Sequence, residues 1–325
     1  MSVITVSSLL IANQQVFIYM GIPILTLGVI GGVLNTSVFL SLRTFRENSC
    51  AFYLTIMSIL NIGQLLTGLL TRIFISGFSI DFTRTSLIYC KCRTFFLQVT
   101  TFSSFGCICL AAIDQYFATC TFIPWQRWRN LRLARCLVLS TIIIAIIAQI
   151  PTLIYYGEVM STLSNKTTCT ITSNTFYHYN LYGNYLLLGN VIPYTITFTA
   201  GILAYRNIRQ LGYRTVPLVR RELDKQLSTI VLVQISYIFL TVPASLVIYF
   251  IIIYGNIQDV TLRSEIDLAY TITVCLYYSY FASPFYIYML FSERFRRQCI
   301  YVICQIFTKQ WRQHRIAPNP PSIPA

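Results

Sequence analysis

Residues Leu133–Tyr156 read LARCLVLSTIIIAIIAQIPTLIYY, and beyond Arg135 the stretch holds no charged side chain. A helix needs about 20 mostly apolar residues to cross a ~30 Å hydrocarbon layer. No water there satisfies backbone N–H and C=O groups, so a run of this length must be helical. Working outward, runs of the same character precede it at Val16–Leu42, Ala51–Ile75 and Thr94–Phe122, and follow it at Leu181–Tyr205, Leu227–Tyr254 and Leu268–Leu290. The predicted fold class is all-α: a bundle of seven transmembrane helices.

Composition agrees. Hydrophobic residues make up 55% of the chain and charged residues 10%, against roughly 25% charged in a soluble domain. Such a chain cannot cover a globular surface with polar groups. Loops are short, no repeat is evident, and no linker divides the chain. The expected organisation is an N-terminal segment at 1–15, the membrane domain at 16–291, an amphipathic helix at 292–307 and a tail at 308–325. The Pro-rich end, Ala317–Ala325, reads as disordered. Met1–Gln15 carries no Lys or Arg, so the basic start of a cleaved signal peptide is not expected.

The basic residues choose an orientation. Of 24 Lys and Arg, 18 fall in the first, third and fifth interhelical loops and the tail, and 6 on the other side. Basic loops stay cytoplasmic, so the amino terminus is predicted outside and the tail inside, in the plasma membrane. A net charge of +14 in a soluble protein would point to nucleic acid. Here the charge is divided among loops beside membrane spans, so anionic lipid and cytosolic partners are expected and nucleic acid is not. Asn165-Lys166-Thr167 is a glycosylation sequon in a gap assigned to the outside. Asn35-Thr36-Ser37 also matches but lies within the first span.

Short motifs recur in helical order. The first span has Gly32-Val33-Leu34-Asn35, and the second has Leu54-Thr55-Ile56-Met57-Ser58-Ile59-Leu60-Asn61. The third runs from Cys90 to Asp114-Gln115-Tyr116. Pro151, Pro193 and Pro243 fall in spans four, five and six, and Ser283-Pro284-Phe285-Tyr286-Ile287-Tyr288 ends the seventh. This set resembles the rhodopsin-like (class A) G-protein-coupled receptors over roughly residues 16–307. The resemblance implies an extracellular ligand, a heterotrimeric G protein as partner and no cofactor. It also implies a disulfide between Cys90 and Cys169, with Cys92 the alternative partner. Asp114, Gln115 and Tyr116 would face the G protein. Asn35, Asn61, Pro243, Ser283 and Pro284 would form the core that rearranges.

The chain departs from the family pattern at several positions. Gln115 replaces an Arg, so an ionic lock cannot form as such; Leu223 stands where its acidic partner would be. Asn61 replaces the sodium-binding carboxylate. Tyr237 and Thr241 take the places of large aromatic switch residues, and Ile287 that of a Tyr. Leu97 holds the position of the amine counter-ion, and Tyr277 that of the retinal-binding Lys, so neither an amine nor retinal is expected. Leu97, Gln98, Tyr249 and Tyr277 are expected to line an aromatic, neutral pocket suited to a peptide.

After the last span, Phe295, Cys299, Val302, Ile303 and Ile306 recur at helical spacing beside Arg294 and Arg297, as in an interfacial amphipathic helix. Cys299 and Cys304 are candidate palmitoylation sites. The sequence offers no catalytic or metal-binding motif, so an enzyme is not expected. The alternatives are a polytopic transporter, which would want paired midplane carboxylates and repeats, or a receptor-like protein that no longer couples to G proteins.

Overall fold

A computed structural model of the chain describes residues 2–41, 43–120, 130–160, 167–210 and 218–315, with side chains for 6–41, 45–120, 130–159, 168–207 and 226–304. Helix α1 (residues 2–41) begins at Ser2, passes through a π-helical segment at Phe17–Gly21 and continues as Ile22–Ser41. Helices α2 (Ser49–Gly77), α3 (Leu87–Thr119) and α4 (Leu131–Tyr155) follow. A two-stranded antiparallel hairpin, β1 (Tyr156–Met160) and β2 (Thr167–Ile171), precedes α5 (residues 174–210) and α6 (Leu218–Tyr254). Helix α7 (Val260–Ala282) is carried on by Pro284–Phe291, and α8 (Glu293–Arg315) ends the described chain.

Among the described residues, six helices are long and apolar enough to cross a membrane. Helix α7, 23 residues long, is less apolar because Arg263, Glu265 and Asp267 stand in its first turns. The seventh is interrupted at Ser283 because Pro284 has no N–H to give the Tyr280 carbonyl. The Ser283 hydroxyl takes that role, donating to the Tyr280 carbonyl at 2.9 Å. Proline in α5 is handled differently: a π-helical stretch, Tyr179–Val191, runs up to Ile192 and Pro193, as π segments often do where a helix must rotate.

Helix starts are capped by short polar side chains. Asn48 accepts from the Ala51 N–H at 3.1 Å, Asn130 from that of Arg132 at 2.9 Å, and Asp259 from that of Thr261 at 2.9 Å. At the break before α8, Ser292 accepts from the Phe295 N–H at 3.2 Å. Arg296 donates to the Met289 and Leu290 carbonyls at 3.0 and 2.9 Å, satisfying acceptors that the end of α7 leaves open.

Helices α2 and α3 are the centre of the bundle: 56% and 50% of their apolar windows are buried, against 22% for α1 and α4. Two buried clusters fill the interior. One holds Phe39, Leu54, Ile108, Tyr288 and Phe295 and lies toward α8. The other holds Leu65, Phe105, Val242, Cys275 and Phe281. Outward positions such as Ile144 and Leu240 are apolar and largely exposed, as lipid-facing side chains must be.

A disulfide joins Cys90, at the start of α3, to Cys169 on β2, with the Cα atoms 5.9 Å apart. Cys92 is half-buried and outside any disulfide. The hairpin register sets Cys169 opposite Glu158, so the bond fastens the hairpin over one end of the bundle. That end is called the disulfide end below, and the other, beside α8, the tail end.

Candidate functional site

Below the hairpin lies a cavity of about 170 Å³ lined by α2, α3, α5, α6 and α7. Three of the expected residues, Leu97, Gln98 and Tyr277, line it. Tyr249 stands behind the wall, its ring 4.9 Å from Tyr185 and 6.0 Å from Tyr270, both of which do line the cavity. The sequence reading missed the α5 wall of Asn180, Asn184 and Asn190, although its Asn-rich run within an apolar stretch was a usable signal.

A chain of neutral amides crosses this wall. Gln98 donates to Asn180 at 3.3 Å, Asn184 to Asn180 at 3.2 Å, and Gln149 to Asn184 at 3.3 Å. The Thr152 hydroxyl gives to Gln98 at 3.2 Å. On the facing side Gln64 donates to the Tyr277 hydroxyl at 3.4 Å and receives the Thr100 hydroxyl at 3.3 Å. These bonds tie five helices, α2, α3, α4, α5 and α7, to one another around the cavity.

The cavity is not neutral. Arg72, on α2, is part of its lining and sits 5.9 Å from the centre of the Tyr270 ring, in cation–π range. The expectation of an uncharged pocket is corrected here: two π segments, Leu65–Leu69 and Ile73–Gly77, flank Arg72 and change the rotation that a regular α-helix would give it.

At the tail end, Asp114 and Gln115 are buried and Tyr116 is half-buried. Asp114 accepts from the Ser49 hydroxyl of α2. Gln115 accepts from the Ser228 hydroxyl of α6 at 2.6 Å, so a neutral bond closes α3 against α6. Both partners are 1% exposed. Asn207 adds a longer bond, 3.5 Å, from α5 to Thr119.

The expected conformational core is divided between pairs. Asn35 donates to Ser58, and Asn61 receives the Ser104 hydroxyl. Ser283 turns instead to its own helix, as described, and Pro243 lies within α6. Tyr288, fully buried, takes the Gln234 amide of α6 at 2.9 Å, while Ile287 packs in the apolar core. Among the described residues, four buried amides of this inner region keep one atom unpaired: Asn35 Oδ1, Asn61 Nδ2, Gln115 Nε2 and Gln234 Oε1.

Of the two palmitoylation candidates, Cys299 is 1% exposed and packs in the inner core, so its thiol is closed to acylation in this arrangement. Cys304 is exposed. Helical spacing explains the difference: Cys299 lies on the face with Phe295 and Val302 that packs on the bundle, while Ile300 and Tyr301 face away. Asn165 lies outside the described residues.

A family model described as "7 transmembrane receptor (rhodopsin family)" matches residues 34–283 of the sequence. The type-1 angiotensin II receptor A of Xenopus laevis is 24% identical over 220 residues, covering 66% of this chain and 59% of that receptor. Its B counterpart is 22% identical over 222 residues, 66% of this chain and 60% of the relative. The somatostatin receptor type 2 of Mus musculus is 22% identical over 214 residues, 64% of this chain and 56% of that protein. The matches therefore span less than two thirds of the relatives' own lengths.

Proposed function

This chain belongs to the rhodopsin family of seven-transmembrane receptors, and from that premise we propose that it binds a peptide-like ligand outside the cell and signals to a heterotrimeric G protein inside. In this reading the disulfide end faces out and the tail end faces the cytoplasm, as the distribution of Lys and Arg favours. Asn165 carries a glycan and Cys304 an acyl chain. The relatives named for angiotensin II and somatostatin, which are peptides, favour a peptide, as does a cavity walled by tyrosines and amides.

The observation that carries the proposal is that the cavity and the polar latch share two helices. Gln98 of α3 and Ser245 of α6 line the cavity; Gln115 and Ser228 of the same helices close the tail end. At 1.5 Å per residue, Gln98 and Gln115 are about 25 Å apart along α3. A molecule in the cavity cannot touch the latch and must act through the helices. Pro243 interrupts the α6 ladder beside Ser245, which is where a bend would convert a ligand contact into movement of Ser228. The four unpaired amide atoms give an opened bundle new partners to find, which lowers the cost of rearranging.

Asp114, Gln115 and Tyr116 then face the G protein once α6 has moved. The test uses full-length chain and its Ser228→Ala variant in membranes, with guanine-nucleotide exchange measured on each class of G protein. Exchange that rises in the variant supports coupling. Absence of exchange in both, with surface delivery and an external amino terminus verified by antibody on intact cells, would leave a receptor-like protein that does not couple. Substrate uptake or ionic current in the same cells would favour a transporter.

A further inference from the structure

We propose that the cavity takes a carboxylate, held by Arg72, from a molecule that also presents an N–H donor to Asn190. This deepens the receptor reading and rests on it for the ligand's role, though not for the site itself. Three observations support it.

The first is charge without a partner. Arg72 lines the cavity, and Arg93 of α3 stands nearby, the two sharing Tyr278 as a neighbour. Arg93 is tied only to a backbone carbonyl, that of Thr67, at 3.3 Å. Among the described residues neither guanidinium has a carboxylate within ion-pair distance. The acids of the disulfide end are engaged or turned outward: Asp81 pairs with Arg84, Asp267 with Arg263, Asp259 caps α7, and Glu158 and Glu265 are exposed. Two cations in a low-dielectric cleft with no anion create a field that favours an incoming negative group, and ionisable side chains at such depth mark binding pathways by default.

The second is geometry. Tyr270 offers its ring to the Arg72 guanidinium, and Tyr277 and Tyr278 line the same side of the cavity. The Tyr270 ring face and the Tyr278 hydroxyl meet the charge without a carboxylate, and the rest of the guanidinium's N–H fork stays suited to one. Gly68 makes this possible: a Cβ there would lie 2.7 Å from both the Tyr278 hydroxyl and a Leu97 methyl.

The third is an acceptor without a donor. Asn190 lines the cavity, is 5% exposed, and gives its Nδ2 to the Tyr185 carbonyl at 2.6 Å. That bond fixes which amide atom is oxygen, and Oδ1 is left unpaired. A carboxylate and, some residues away, an N–H donor on one molecule are what the end of a peptide chain presents. A fatty acid would supply only the first.

The test is thermal unfolding of the purified full-length chain with paired probes. N-acetyl-alanyl-alanyl-phenylalanine is compared with its amide, and octanoate with octanamide. At ten times its dissociation constant the N-acetyl acid should raise Tm by about 2 °C, and its amide by much less. The preference should vanish in Arg72→Gln, weaken in Arg72→Lys and persist in Cys304→Ser, each judged against its own scan without probe. Asn190→Leu should weaken the N-acetyl tripeptide but not octanoate. Equal shifts for acid and amide, no shift with any probe, or an acid preference that survives Arg72→Gln would overturn the site. A larger shift with octanoate would overturn the peptide-like assignment and leave the carboxylate. Because no G protein enters the measurement, acid preference without nucleotide exchange removes the receptor reading alone, and exchange without acid preference removes this inference alone.

Discussion

The two ends of the bundle use the same helices with opposite chemistry. At the disulfide end a guanidinium faces tyrosine rings with no described carboxylate to answer it. At the tail end, where the family usually places a fixed cation, a glutamine and a serine share a neutral bond. An unmatched charge in a low dielectric interacts strongly and selectively with whatever completes it. A neutral hydrogen bond is worth only about 1 kcal/mol net, so it can hold a closed state that a ligand is able to overcome. On the proposed function, strong attraction sits where a ligand would arrive, and weak attachment where movement would be needed. Shifting a two-state balance takes only a few kcal/mol of differential binding, which a single charged contact can supply.

The comparison can be broken first at its roof. Cys169→Ser removes a bond closing a sequence separation of 79 residues and should destabilise the disulfide end by about 4 kcal/mol. Thermal unfolding with and without reductant measures it, and a native chain insensitive to reductant would contradict it. Next comes the cavity wall. Gly68→Ala should cost about 1–3 kcal/mol by crowding Tyr278 and Leu97, with the loss concentrated in probe binding. At the tail end, Ser228→Ala removes the latch donor. The expected change is about 1 kcal/mol, or roughly a fivefold rise in basal nucleotide exchange. An unchanged basal rate in a variant that couples would show that the latch does not hold the closed state. Smallest of all, Glu293→Ala loses an exposed pair with Arg297, whose side chain is 79% exposed. It should move stability by under about 0.5 kcal/mol, whereas a larger loss would mean that charge, not neutral bonding, secures the tail end.

Hydropathy alone identified the membrane helices and their order, because removal from water over about 20 residues is a property of the chain in one dimension. Their starts lie further out than the apolar runs, at Ser2 rather than Val16 and at Val260 rather than Leu268. The distribution of Lys and Arg gave an expected orientation, and the motifs pointed to the family before any packing was known. Rotation was beyond the sequence. In a membrane the lipid-facing and core-facing sides of a helix are both apolar, so periodicity barely separates them. The π segments beside Arg72 and before Pro193 then add turns that no regular spacing anticipates. Tertiary packing alone therefore decided that Arg72 enters the cavity while Tyr249 stands behind it. It also paired Gln115 with Ser228, set Tyr288 against Gln234 beside a buried Ile287, and closed Cys299 in the core while Cys304 stayed exposed. Each of these depends on which neighbour a side chain meets at a rotation of about 100° per residue, and only the assembled bundle fixes that angle.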